Sequence, residues 1–163
     1  MKKVSGYTIA AKQAKEGWID GTINGMRFQA RVYNEGSHYG IDEGRVSKLS
    51  IWDENIRTAC RNFFNACTVN YDRGWDIRPQ KAAYKKMLAA LLEYLESLPT
   101  AEFWEEVAEG QPFRTCLTIK GYPTNVKITI GHTGWAQVQD CLTGIWYKRL
   151  DPITVCEMLE RRK

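Results

Sequence analysis

The sequence predicts an α+β fold in which small antiparallel sheets pack against helices, and three observations carry that reading. An Asn24-Gly25 pair sits between two runs of alternating polarity. An apolar stripe at three- and four-residue spacing fills residues 79–98, and strand-like alternation returns after residue 112. Each half runs from strands to helix, so the chain divides into residues 1–99 and 100–163, as two subdomains or one continuous sheet. A chain of 163 residues buries about 70% of the surface its unfolded form exposes and folds without staples.

Residues 1–15 mix polar and small side chains without a clear period and read as a short tail or a frayed helix. The hairpin comes next. Asn-Gly suits a type I′ turn, which needs positive φ at both central positions. A two-residue loop sets Ile23 against Met26, Gly21 against Phe28 and Ile19 against Ala30 on an apolar face. The other face pairs Thr22 with Arg27, Asp20 with Gln29 and Trp18 with Arg31, and is wet. Gly21 leaves room for the Phe28 ring.

Residues 34–44 form a Gly-rich connection, and a third strand follows over residues 45–52. Residues 53–66 fit either a helical turn or a strand. Residues 68–71 read as another strand, ending at a turn or bulge at Gly74. Pro79 opens a long helix whose stripe is Tyr84, Met87, Leu88, Leu91, Leu95 and Leu98, with Pro99 just beyond it. Its charges oppose the helix dipole, with Lys81, Lys85 and Lys86 early and Glu93 and Glu96 late. Thr100 can cap a second helix reaching Glu109.

In the last third, Phe113, Thr115, Leu117 and Ile119 alternate before a turn at Gly121-Tyr122-Pro123-Thr124. Val126, Ile128 and Ile130 alternate in return, and a further hairpin closes about Thr143-Gly144. Asp151-Pro152 then starts a terminal helix, with Arg161, Arg162 and Lys163 suiting its C-terminal dipole.

Composition narrows the function classes. Hydrophobic residues make up 44% and charged residues 26%, so the chain is globular and not disordered. No run approaches the roughly 20 apolar residues of a membrane span, and the basic Met1-Lys2-Lys3 start lacks the apolar run of a secretory signal. The expectation is a soluble, cytoplasmic protein with no membrane association. Five cysteines without a Cys-x-x-Cys pair, and two histidines, draw no zinc motif; they read as thiols in a reducing compartment. No phosphate loop, dinucleotide fingerprint, nucleophile elbow or zincin motif occurs. The chain is therefore expected to be no enzyme and to need no cofactor or metal. A small enzyme built on the loops of His38 and His132 is the remaining catalytic alternative.

The surplus of large aromatics points to binding. Aromatic residues reach 12%, with six tryptophans, and Trp, Tyr and Arg dominate binding hot spots because they join contact area to a polar handle. The densest such cluster is Tyr71-Asp72-Arg73-Gly74-Trp75-Asp76. Trp18 and Arg31 share the wet hairpin face. With Tyr39, Arg45 and Lys48 these give the candidate binding residues Trp18, Arg31, Tyr39, Arg45, Lys48, Tyr71, Arg73 and Trp75. A protein partner is the first expectation. Basic residues interleaved with rings (Arg27, Arg31, Tyr33, Arg45, Lys48, Trp52) make nucleic acid the second, although a net charge of +4 and a pI near 8.8 are only mildly basic.

The segments Trp18-Ile-Asp-Gly-Thr-Ile-Asn-Gly25, Phe28-Gln-Ala-Arg-Val32, Tyr39-Gly-Ile-Asp-Glu-Gly-Arg-Val-Ser-Lys-Leu49 and Asn70-Tyr-Asp-Arg-Gly-Trp-Asp76 carry a resemblance. Over residues 16–95 the chain resembles an uncharacterised small domain of phages and mobile elements of Gram-positive bacteria. Residues 54–66 are longer than the connection such a domain has there. The resemblance brings no activity and no catalytic residue. It implies an accessory protein, of the kind that inhibits a host defence complex such as a CRISPR nuclease.

Overall fold

The computed structural model describes residues 1–110, the strand Leu117–Thr118 and residues 125–160. The fold is α+β, and the chain divides into two compact units, Met1–Leu98 and Pro99–Lys163.

The first unit is a seven-stranded antiparallel meander in which every strand pairs with its neighbours in sequence. Its strands are β1 (Lys2–Val4), β2 (Tyr7–Lys15), β3 (Trp18–Ile23), β4 (Met26–Val32), β5 (Val46–Trp52), β6 (Cys67–Asp72) and β7 (Trp75–Ile77). The Asn24-Gly25 turn has φ of 45° and 85°, as a type I′ turn requires, and the expected hairpin register holds pair for pair. Phe28 is fully buried, and a Cβ added at Gly21 would meet the Ala10 carbonyl oxygen and lie 2.8 Å from Phe28 Cε1.

The reading of residues 1–15 as a tail or frayed helix is corrected: they form β1 and β2. Ser5-Gly6, at φ 47° and 84°, makes a second turn of the same kind. Ile9 pairs with Ile23 and is buried, so β2 covers an edge that β3 would otherwise expose. The period was hidden because alanines occupy both faces of β2, which weakens the hydrophobic contrast.

Helix α2 (Ala82–Glu96) covers one face of this sheet. Its buried residues Met87, Leu88, Ala90, Leu91, Tyr94 and Leu95 join a core with Ile9, Ile23, Phe28, Leu49, Ile51 and Val69 from the strands. Residues 53–66 hold two short helical pieces: Asp53 caps the helix α1 (Glu54–Ala59) through Oδ1, which accepts the Asn55 N–H at 2.8 Å, and a 3-10 turn at Phe63–Asn65 follows. The glutamates set against the dipole of α2 have tertiary work. Glu96 Oε1 accepts the backbone N–H of Arg45 at 2.8 Å and of Val46 at 3.2 Å, and Glu93 Oε2 accepts Ser5 Oγ–H at 2.9 Å.

The second unit contains helix α3 (Ala101–Glu109), the strands β8 (Leu117–Thr118), β9 (Asn125–Ile130), β10 (Ala136–Asp140) and β11 (Trp146–Leu150), and helix α4 (Pro152–Glu160). The strands form an antiparallel sheet in the order β11-β10-β9-β8. Trp104 of α3 and Val155 of α4 pack with Val126, Ile130, Ala136, Val138 and Leu150, so both helices lie on one sheet face. Gly134, at φ 81°, seats the Trp104 ring; a Cβ there would lie 2.5 Å from its Cε2. Thr100 precedes α3 without a side-chain capping bond, whereas Asp151 Oδ1 caps α4 by accepting the Ile153 N–H at 3.1 Å. The expected strand around Phe113 and Ile119, apart from Leu117–Thr118, its turn at Gly121-Tyr122-Pro123-Thr124 and the Arg161-Arg162-Lys163 end lie outside the described residues. Cys60, Cys67 and Cys156 are thiols, but Cys141 is disulfide-bonded, a correction to the reading of all five as thiols. Sequence spacing alone cannot show sulfurs that folding brings together.

Candidate binding surface

Alternation along the first unit's strands sends one set of side chains toward α2 and leaves the other on an open face. The register aligns that open face in rows. Lys15, Trp18, Arg31, Lys48 and Asp72 occupy one row across β2–β6. The next holds Lys12, Asp20, Gln29, Ser50 and Asn70, and the third Ala10, Thr22, Arg27, Trp52 and Cys67. Lys3, paired with Thr8, extends the face toward β1.

The first row is bracketed by cations. Lys15 Nζ lies 5.5 Å and Arg31 Cζ 5.9 Å from the centroid of the half-buried Trp18 ring, and Arg31 Cζ is 4.9 Å from that of Tyr33. Arg31 Nη1 also donates to the Glu16 carbonyl, which fixes the guanidinium over the β2–β3 turn. Lys48 Nζ donates to Asp72 Oδ2 at 3.0 Å, and Arg73 Nε to Asp72 Oδ1 at 3.2 Å. The Lys48 hydrogen bond, reinforced by its charge and by Arg73, holds the Asp72 carboxyl below its ordinary range.

The carboxylates in these rows are already engaged, whereas Lys12 and Arg27, among the cations of the face, are not. Asp20 Oδ1 accepts Gln29 Nε2–H at 2.8 Å, and Asp72 is paired as above. Lys12 and Arg27 are exposed and have no ion-pair or hydrogen-bond partner among the described residues. Trp52 is half-buried, its Nε1–H donates to Glu54 Oε2 at 2.6 Å, and its ring meets Phe63 edge-on at 5.3 Å. The face is therefore a broad pleated surface with surplus positive charge and indole edges.

The expected binding residues divide among three places. Trp18, Arg31 and Lys48 share the open face. Tyr71 is buried on the α2-bearing face, where its OH donates to the Tyr39 carbonyl at 2.9 Å and its ring meets Trp75 edge-on at 5.1 Å. Trp75 is half-buried beside it, with Arg78 Cζ 5.0 Å from its centroid. Arg73 stands exposed at the tip of the β6–β7 turn at φ 57°. Residues 71–76 are thus split by strand alternation: Tyr71 and Trp75 face the core and Asp72 the open side.

Tyr39 is exposed in the loop after β4, its ring 3.8 Å from that of His38. Arg45 closes the end of α2: Nη1 donates to the Glu96 and Leu98 carbonyls, both at 2.8 Å, and Nε to the Tyr33 carbonyl at 2.8 Å. Burial pulls its guanidinium below the ordinary value, and Glu96 counters that.

Lys12 was absent from the expected residues, and Arg27 stood only in the basic set read for nucleic acid. Arg27 was findable, since the hairpin register already placed it on the wet face; Lys12 was lost with the unread strand β2. Among the described residues no group of three or more His, Cys, Asp or Glu could hold a metal ion, and no helix is long and apolar enough to cross a membrane.

No curated protein and no solved structure matches the chain. The resemblance seen over residues 16–95 has a counterpart among family models: residues 17–96 match a domain of unknown function, DUF7678.

Proposed function

We propose that this chain is a non-catalytic binding protein whose first unit grips an anionic macromolecule with the open face of its seven-stranded sheet. The observation that carries this reading is the imbalance on that face: Lys12 and Arg27 have no ion-pair or hydrogen-bond partner among the described residues, while Asp20 and Asp72 are engaged. Cations without acidic partners on a surface raise the local concentration of an acidic partner and speed its encounter.

One narrower form, which rests on the resemblance, would have as partner an acidic surface of a host defence complex, such as a CRISPR nuclease. The protein would then be an accessory factor of phages or mobile elements working in the bacterial cytoplasm. The resemblance over residues 16–95 supports that form. A second reading, nucleic acid, is favoured by the rows themselves, which set Trp18 beside Arg31 and Trp52 beside Arg27.

The test compares the wild type with K12E/R27E on immobilised heparin and in capture from bacterial lysate, with and without nuclease. The wild type is expected to elute from heparin at higher salt and to retain a macromolecule that the folded double variant releases. Equal elution and equal capture by the two proteins would remove the open face from the account.

A further inference from the structure

We infer that the anionic ligand is single-stranded nucleic acid, and that the outward face of the four-stranded sheet takes the same ligand. This rests on the proposed gripping role of the open face and names its partner class.

Shape is the first argument. Neighbouring strands lie about 4.8 Å apart, so β2–β6 present a face about 19 Å wide, too broad for a major groove of about 12 Å. A duplex could meet such a face only along its phosphates. A single strand can lie flat on it, phosphates on cations and bases against indoles, which is how sequence-tolerant binders work. Trp18 and Trp52 supply those rings on the same face as Lys12 and Arg27.

The second unit repeats the chemistry. With α3 and α4 on one side of its sheet, alternation sends Lys127, Gln137 and Arg149 to the other. Arg149 Cζ lies 4.6 Å from the centroid of the Trp135 ring, and Trp146 is 54% exposed on the edge strand. Lys127 has no carboxylate partner among the described residues. The strand carboxylate of this sheet, Asp140, is buried on the helix side, where it accepts the Leu142 and Thr143 N–H groups and the Tyr147 hydroxyl. No acidic side chain is placed on the outward face among the described residues. Cations and indoles therefore share a face in two sheets that have no strand in common, with the acids engaged on the first and no acid placed on the second among the described residues.

The experiment measures fluorescence anisotropy of 5′-fluorescein-labelled (dT)20 with the full chain across a salt series. Unlabelled (dT)20, a 20-base-pair duplex and poly-L-glutamate serve as competitors. The expected results are single-strand binding at least tenfold tighter than duplex binding and weak competition by poly-L-glutamate. The slope of log K against log salt is expected to shrink by about 1.4 in K12E/R27E and again in K127E/R149E, from about 0.7 per lost phosphate contact. W146A, at an exposed position, is expected to weaken binding two- to tenfold without changing that slope. Equal affinity for duplex would overturn the single-strand assignment, and poly-L-glutamate competing as well as (dT)20 would overturn the nucleic-acid assignment; either leaves the cationic face intact. Failure to bind any of the polyanions, heparin included, would overturn the face and the assignment together. An unchanged slope in K127E/R149E alone would remove the second sheet from the inference.

Discussion

Arg45 and Glu96 hold each other through both backbone and side chain: Glu96 Oε1 accepts the Arg45 N–H at 2.8 Å, and Arg45 Nη1 donates to the Glu96 carbonyl at 2.8 Å. The C-terminal carbonyls of a helix have no partner within it, so a guanidinium beside them satisfies groups that burial would otherwise strand. Glu96→Ala leaves the N–H groups of Arg45 and Val46 without their acceptor and should cost about 1–3 kcal/mol in urea unfolding. Arg45→Ala should cost a similar amount and leave polyanion binding by the folded protein intact. Arg45→Lys should recover little, because an ammonium cannot span the same fork. Loss of binding by a stable Arg45→Ala variant would return this residue to the gripping surface.

Gly21 gives a sharper test of the hairpin. A methyl group there meets the Ala10 carbonyl oxygen of β2 and the Phe28 ring, and the backbone side of that contact cannot rotate away. Gly21→Ala should therefore destabilise the chain by about 1–3 kcal/mol or more, as overpacking does. Gly25→Ala offers a comparison: its Cβ meets nothing within 4 Å, and only its φ of 85° opposes the substitution. Chemical denaturation of both variants should rank Gly21→Ala as the more damaging. The reverse order would contradict the register.

Arg73 occupies a left-handed conformation at φ 57° that costs a side-chain-bearing residue about 1–2 kcal/mol. Its ion pair with Asp72 is exposed and contributes about 0–1 kcal/mol. Arg73→Gly should leave stability unchanged or raise it by up to about 1 kcal/mol in thermal unfolding. A loss of more than about 1 kcal/mol would mean the guanidinium holds the turn more strongly than this geometry implies.

The Asp72 carboxyl is held below its ordinary value, first by the Lys48 hydrogen bond. A folded-state value below the unfolded one adds stability above the ordinary carboxylate range, near pH 4. That stability disappears as pH falls through the folded value. Solvent keeps the effect small at so exposed a pair. Comparing wild type with Asp72→Asn, the stability difference should be flat from pH 7 to about pH 5 and shrink below it. A difference that grew on acidification would reverse the sign of the account.

Much of the fold was legible because local chemistry and tertiary structure agree. Asn24-Gly25 demanded a type I′ turn, and the facing pairs were apolar on one side only, so the register followed. The stripe of α2 was equally plain, though the helix starts at Ala82, after Pro79. β2 was not legible: Ala10, Ala11 and Ala14 blur a period that Ile9 and Lys12 alone cannot mark.

The surface was half legible for a related reason. Trp18 and Arg31 could be placed because the hairpin register orients them, and Lys48 because it falls in the third strand read over residues 45–52. Tyr71 and Arg45 could not, because nothing local distinguishes a hydroxyl bound for the Tyr39 carbonyl, or a guanidinium bound for a helix end fifty-one residues away, from one bound for a partner.

The most direct test is lysine acetylation footprinting of the full chain, with and without heparin, read residue by residue by mass spectrometry. Lys12 lies on the open face without an ion-pair or hydrogen-bond partner among the described residues, whereas Lys85 and Lys86 are exposed on α2, across the sheet. Heparin is expected to slow modification of Lys12, Lys15 and Lys48 severalfold and to leave Lys85 and Lys86 unchanged. Protection of the helix lysines with Lys12 unprotected would place the grip on the opposite side of the sheet and contradict the account.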